Sequence, residues 1–185
     1  MTEISTSRVP PLEFNAVDLQ RAYNDWGCNC GPSALAACCR LDLIQAKRAA
    51  RMFARKKYMN PADMHAALKA VRMRVTTEHC DGGTELDIYP AHGLCLIQWG
   101  GPWVSDKYNS RWASCHTHWI ASKLIEETRW IFDINQFGWK SIEDWSEKTL
   151  PLLLAGDSLR DGTYWLKHSW EVRKKGGNGS RRGME

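Results

Sequence analysis

Residues 30–38 read Cys-Gly-Pro-Ser-Ala-Leu-Ala-Ala-Cys, small and apolar on nearly every side. Pro32 suits the first turn of a helix, and a helix that is apolar all round is a buried one. A buried helix beginning near Cys30 is therefore expected. A second helix is predicted over residues 42–57, with Leu43, Ala46, Ala50 and Phe53 on one face and Lys47, Arg48, Arg51 and Arg55 on the other. A third follows Asn60-Pro61, a cap with proline at the first helical position, and runs to Val71. The period then changes. Residues 73–77 alternate as a strand, Asp81-Gly82-Gly83 forms a turn, and residues 94–99 make the apolar run of a central strand. After a loop rich in Gly, Pro, Ser and Trp, residues 116–124 and 129–134 read as two strands of a hairpin turning at Glu126-Glu127-Thr128. Residues 141–154 look helical, with Ser141 as cap and Asp144 in the first turn. Residues 163–172 form a last strand. Helices first and mostly antiparallel strands afterwards specify an α+β domain.

The ends lack these periods. Residues 1–15 read as an extended arm, residues 16–172 as the folded domain, and residues 173–185 (RKKGGNGSRRGME) as a basic, glycine-rich tail that cannot repay the entropy of ordering. With 185 residues, 43% hydrophobic and 25% charged, the chain has the material for one ordinary core. The net charge is +4 and the pI about 8.7, the excess lying in residues 47–57 and the tail. Such patches are most often solvated faces, and they also permit weak contact with nucleic acid or an acidic partner. No run approaches the ~18 apolar residues of a membrane span, and the first residues lack a signal-peptide pattern, so a cytoplasmic location is expected.

That compartment changes how the seven cysteines are read. An odd number of thiols in a reducing setting points away from a disulfide scaffold and toward core filling, metal binding or catalysis. Cys38, Cys39, Cys80 and Cys95 fit packing. Cys28-x-Cys30, His79-Cys80 and Cys115-His116 offer zinc ligands but none has the paired C-x-x-C spacing of structural zinc sites, so neither a metal nor a cofactor is expected. His65 and His168 read as ordinary residues and His116 as rim-facing or structural. Cys30 differs from the other thiols. At a helix start, free backbone N–H groups and the positive end of the dipole favour a thiolate, which is the nucleophile.

Two residues on the predicted hairpin can serve that thiol. His118 lies on a strand, where its ring can be held rigidly. Asp133, flanked by Ile131, Phe132 and Ile134, is hard to account for as a solvated charge and needs a partner. A hairpin centred on Glu126-Glu127 puts position 133 across from 120 or 121, within diagonal reach of His118. Asn135 shares the parity of Asp133 and is the alternative residue to orient the ring.

The order Cys30, His118, Asp133, with Cys opening a helix, resembles the papain-like cysteine peptidases. The run Asn29-Cys30-Gly31-Pro32-Ser33-Ala34-Leu35 is most similar to the leader peptidase domains of bacteriocin exporters, a resemblance that covers roughly residues 20–140. It implies a papain-like fold, N-terminal helices packed on a mostly antiparallel sheet, and a thiol hydrolase, a peptidase or amidase, that passes through an acyl-enzyme. The resemblance also implies an amide donor to the oxyanion six residues before the nucleophile. That position holds Asn24 where the family has Gln, with Gln20 as the alternative. Trp26 and Trp119 adjoin the proposed catalytic residues and are expected to wall a cleft that takes a protein or peptide substrate. The same machinery serves an acyltransferase, a transglutaminase or a deamidase. A catalytically degenerate module that grips a protein or nucleic acid through its basic helix and tail is the other reading.

Overall fold

The computed structural model describes residues 9–26, 30–51, 58–80, 83–104 and 116–176, with Trp26 and Leu86 described by their backbone alone. Four helices come first: α1 (Ala16–Trp26), α2 (Cys30–Cys39), α3 (Leu43–Ala49) and α4 (Pro61–Ala70). The strands β1 (Met73–Cys80), β2 (His92–Trp99), β3 (Thr117–Ile125), β4 (Thr128–Asp133) and β5 (Gly138–Ser141) follow. A helical segment then starts as α5 (Ile142–Asp144), widens into a π-turn over Trp145–Thr149 and ends as α6 (Leu150–Ala155), before β6 (Tyr164–Lys174). The strands form one antiparallel sheet in the order β1-β6-β2-β3-β4-β5. The α+β class is as expected.

Local signals set several boundaries. Asn60 accepts a hydrogen bond from the Asp63 N–H at 2.8 Å, and Pro61 opens α4. Ser141 accepts from the Asp144 N–H at 3.2 Å. Asp42 and Gln45 form a reciprocal capping box on α3. Several elements differ from expectation: β1 and β2 extend beyond the expected strands, to Cys80 and from His92, and β5 was not expected. Helix α1 was not foreseen, although Asn15 caps it by accepting from the N–H groups of Val17 and Asp18 while Asp18 accepts from the Asn15 N–H. Helix α3 is followed by Ala50 as its C-cap, and residues 52–57 of the expected basic helix lie outside the described residues. Strand β6 runs through Arg173 and Lys174, two residues into the expected tail, because Met73 and Arg74 of β1 pair with them.

Alternation along the strands divides the core between the two faces of the sheet. Leu94, Leu96, Trp119, Ala121, Phe132 and Trp170 pack against the helices, around α2. Cys95, Ile97, Ile120, Ile131 and Leu166 pack with Trp145 and Leu150 of the later helical segment. Helix α2 lies flat on its neighbours because Gly31 to Cys38 are all buried and mostly small. A β-carbon at Gly31 would come within 2.9 Å of Met59, so glycine is required for that approach. The Met59 carbonyl in turn accepts a 2.7 Å hydrogen bond from the Trp119 indole of β3. Gly31, Met59 and Trp119 thereby fix the start of α2 against the middle of the sheet. Among the described residues, no helix is long and apolar enough to cross a membrane.

Candidate active site

The hairpin takes one of the two registers that the spacing of residues 116–134 allows. Ala121 pairs with Phe132, and the next step sets Asp133 across from Ile120, diagonal to His118. Both side chains belong to the face carrying Ile120 and Ile131. His118 Nε2 lies 3.0 Å from Asp133 Oδ1. His118 is 8% exposed and Asp133 fully buried.

A buried carboxylate survives only where donors surround it. Asp133 Oδ1 also accepts from the Asn135 backbone N–H and from Asn135 Nδ2, each at 2.9 Å, and Oδ2 accepts from the Trp145 indole N–H at 3.1 Å. Burial pushes the Asp133 carboxyl up. The His118 charge and hydrogen bond, with the Asn135 and Trp145 donors, outweigh burial and hold it below its ordinary value. Asp133 is therefore an anion at neutral pH, and it holds the histidine by Nε2. The ring's other nitrogen, Nδ1, is the one that can exchange a proton with a substrate or a thiol. Trp99, nearly buried, stacks on the His118 ring at 6.0 Å between centroids and 24° between planes. Its indole also receives the Arg160 guanidinium, 4.8 Å away.

Cys30, at the first turn of α2, and His118 line one cleft of about 410 Å³. Leu19, Gln20 and Tyr23 of α1 form one wall, and Ile134, Asn135 and Phe137 form another. Phe137 has φ 55° and ψ 34°, a left-handed conformation that is unusual for a bulky residue, and its ring is 53% exposed at this wall. The remaining described thiols have other surroundings. Cys95 is buried and its thiol is pushed up to about 12. Cys38 is held well up by its hydrogen bond with Cys39 and by burial. Both are packed as neutral thiols, as expected.

Several predicted site residues lie elsewhere. Asn24 is exposed and accepts a 3.1 Å hydrogen bond from Gln20 Nε2, while Gln20 is the amide that lines the cleft. The two are one helical turn apart on α1, so the unforeseen helix decides which of them reaches the cleft. Asn135 stands 3.4 Å from His118 Nε2 and buttresses Asp133 rather than replacing it. Trp119 does not wall the cleft. Strand alternation turns it to the helical face, where it is 2% exposed and bonded to Met59. The Trp26 side chain and Cys28 lie outside the described residues.

Sequence reasoning missed Trp145, the donor to Asp133 Oδ2, and Phe137, whose backbone conformation has no sequence signal. Two further readings change: Cys80, expected to fill the core, is exposed at the end of β1 beside Glu78, and His168, expected to be an ordinary residue, stands beside both. Compared with protein-family models, with curated proteins and with solved structures, the chain has no match in any of the three.

Proposed function

We propose that the chain is a papain-like thiol enzyme that transfers the acyl group of an amide or isopeptide bond, acting as a peptidase or amidase when water is the acceptor. The observation that carries the reading is the buried His118–Asp133 pair facing, across one cleft, a cysteine at the start of a buried helix. Cys30 Sγ attacks the carbonyl carbon and His118 Nδ1 takes the thiol proton. Asp133 holds the ring in the tautomer that leaves Nδ1 able to accept it and balances the imidazolium that forms. The carbonyl oxygen, now an anion, is met by the Cys30 backbone N–H and the Gln20 amide, with Asn24 positioning Gln20 through their hydrogen bond. The amine leaves with the proton from His118, which gives a thioester at Cys30. Water, with His118 as base, then releases the acid.

Leu19, Tyr23, Ile134 and Phe137 give the cleft apolar surface beside the polar Gln20 and Asn135, which suits an aliphatic or aromatic side chain next to the amide of a protein or peptide substrate. An amine acceptor in place of water would turn the same intermediate to acyl transfer, and a glutamine side-chain substrate would make the reaction deamidation.

The test does not need the natural substrate. With p-nitrophenyl acetate, the protein should release a burst of about one equivalent of p-nitrophenol and carry one hydroxylamine-labile acetyl group at Cys30. The burst should vanish in Cys30→Ala. Slow acetylation spread over several thiols would contradict the proposal.

A further inference from the structure

A second group of chemistry-bearing side chains lies on the other flank of the sheet. In the β1–β6 pairing, Cys80 is directly opposite His168, and Glu78 is two residues back on the same strand face. Three atoms converge there: Cys80 Sγ is 3.4 Å from His168 Nδ1, His168 Nδ1 is 3.1 Å from Glu78 Oε1, and Cys80 Sγ is 3.5 Å from Glu78 Oε1.

A thiol, an imidazole and a carboxylate in one triangle are also three of the side-chain groups that bind zinc. Glu78, a carboxylate at neutral pH, brings no proton. The thiol and Nδ1 supply at most one proton each. Glu78 Oε1 can accept from both, which pairs the three groups in the metal-free chain. A cation at the centre satisfies all three atoms.

The dimensions fit a metal. A tetrahedral zinc with Zn–S of about 2.3 Å and Zn–N and Zn–O of about 2.0 Å has edges of about 3.5 Å for S···N, about 3.3 Å for N···O and about 3.5 Å for S···O. The three separations above match those edges to within about 0.2 Å. The rings behind the triangle hold it in place. Trp170 is fully buried beneath, with the His168 ring edge-on to it at 5.7 Å and the His65 ring of α4 against it at 4.2 Å. Cys80 and Glu78 are exposed, so solvent can reach a fourth position.

We propose that Glu78 Oε1, Cys80 Sγ and His168 Nδ1 bind a thiophilic divalent cation of the zinc class, with water completing the tetrahedron. Binding displaces the Cys80 proton to solvent and leaves Nδ1 as a neutral donor to the metal. Because β1 is the edge strand of the sheet, the metal clamps the end of that strand to β6. His79, one residue earlier than Cys80, takes no part. It lies on the opposite face of the strand, in a different cleft with Arg129 and Arg173.

The experiment is a Co²⁺ titration of the full chain, reduced and stripped of metal with a chelator. One equivalent should produce a thiolate-to-cobalt charge-transfer band with intense tetrahedral d–d bands, both displaced by Zn²⁺. The bands should be lost in Cys80→Ser and His168→Gln and kept in Cys30→Ser. In a peptide map, Zn²⁺ should protect Cys80 from iodoacetamide while leaving Cys30 alkylation unchanged, so the outcome is separate from that of the thiol-enzyme proposal. Bands that survive Cys80→Ser overturn this site. So does their absence together with unprotected Cys80 in the wild-type chain, a readout that needs no variant to fold.

Discussion

Among the described residues a cysteine, a histidine and an acid come together at two places, and the two groups differ in how the histidine is approached. At His118 the acid takes Nε2, and Cys30 stands across a cleft, which leaves the ring to pass a proton between opposite sides. At His168 the acid and the thiol both approach Nδ1, so no proton can be relayed from one to the other through the ring. Burial differs in step. Asp133 is fully buried and takes four hydrogen bonds, whereas Glu78 and Cys80 are exposed. Residue types alone do not separate the proposed relay from the proposed chelate. The ring nitrogen that each partner approaches does.

The largest structural effect should come from Asp133→Ala. It leaves the His118 ring, both Asn135 donors and the Trp145 indole without their shared acceptor, and breaking such a buried network costs about 3–5 kcal/mol. Urea unfolding should show the midpoint fall accordingly. The Glu78→Ala midpoint in metal-free buffer should barely move. Equal losses in the two variants would erase the contrast in burial.

Next is Gln20→Ala. Loss of one oxyanion donor lowers acyl transfer by about 10²–10³-fold. Asn24→Ala, which removes only the acceptor that positions Gln20, should cost less. The rate of Cys30 acetylation by p-nitrophenyl acetate reads both, and a larger loss for Asn24→Ala would reverse their assigned roles.

The acid limb of stability comes third. The Asp133 carboxyl titrates lower in the fold than its ordinary value of 3.8. The unfolded chain therefore takes up that proton first as pH falls. The stability Asp133 contributes is fully present above about pH 4 and is lost as pH falls through the folded value. Urea midpoints between pH 6 and pH 2 should fall more steeply in the wild-type chain than in Asp133→Asn. Parallel curves would contradict the shift.

The smallest effect is expected from Cys80→Ser in metal-free buffer. An exposed substitution of this kind changes stability by less than about 0.5 kcal/mol. Added Zn²⁺ should raise the thermal midpoint of the wild-type chain and leave that of Cys80→Ser unchanged.

The sequence showed most of the fold where the signal is local. Gly31-Pro32 and the small residues after them mark α2, Asn60-Pro61 marks α4, and the two apolar runs around Glu126-Glu127 mark the hairpin and narrow its register to two choices. Helix α1 was harder to see because it buries little more than Leu19 and Ala22, so its apolar stripe is thin. Its Asn15/Asp18 cap was nevertheless present in the sequence. Strand β5 is only four residues long and exists because Phe132 and Trp130 offer it an edge. Cys30, His118 and Asp133 were legible as a set because a short hairpin carries the last two. The choice of Gln20 over Asn24 depended on a helix that was not seen. The Cys80–His168 pair is separated by 88 residues and is brought together only by the β1–β6 register, which no local pattern encodes.

The central claim is that Cys30 is a nucleophile activated by a histidine that Asp133 holds. Its most direct measurement is the rate of iodoacetamide alkylation at each thiol, by peptide mapping, at pH 6. Cys30 should react selectively and fast, and His118→Ala should slow it by about 10²-fold or more, the scale of a lost acid–base partner, with no change at Cys80. Uniform slow labelling of all seven thiols, or a Cys30 rate unchanged by His118→Ala, would contradict it.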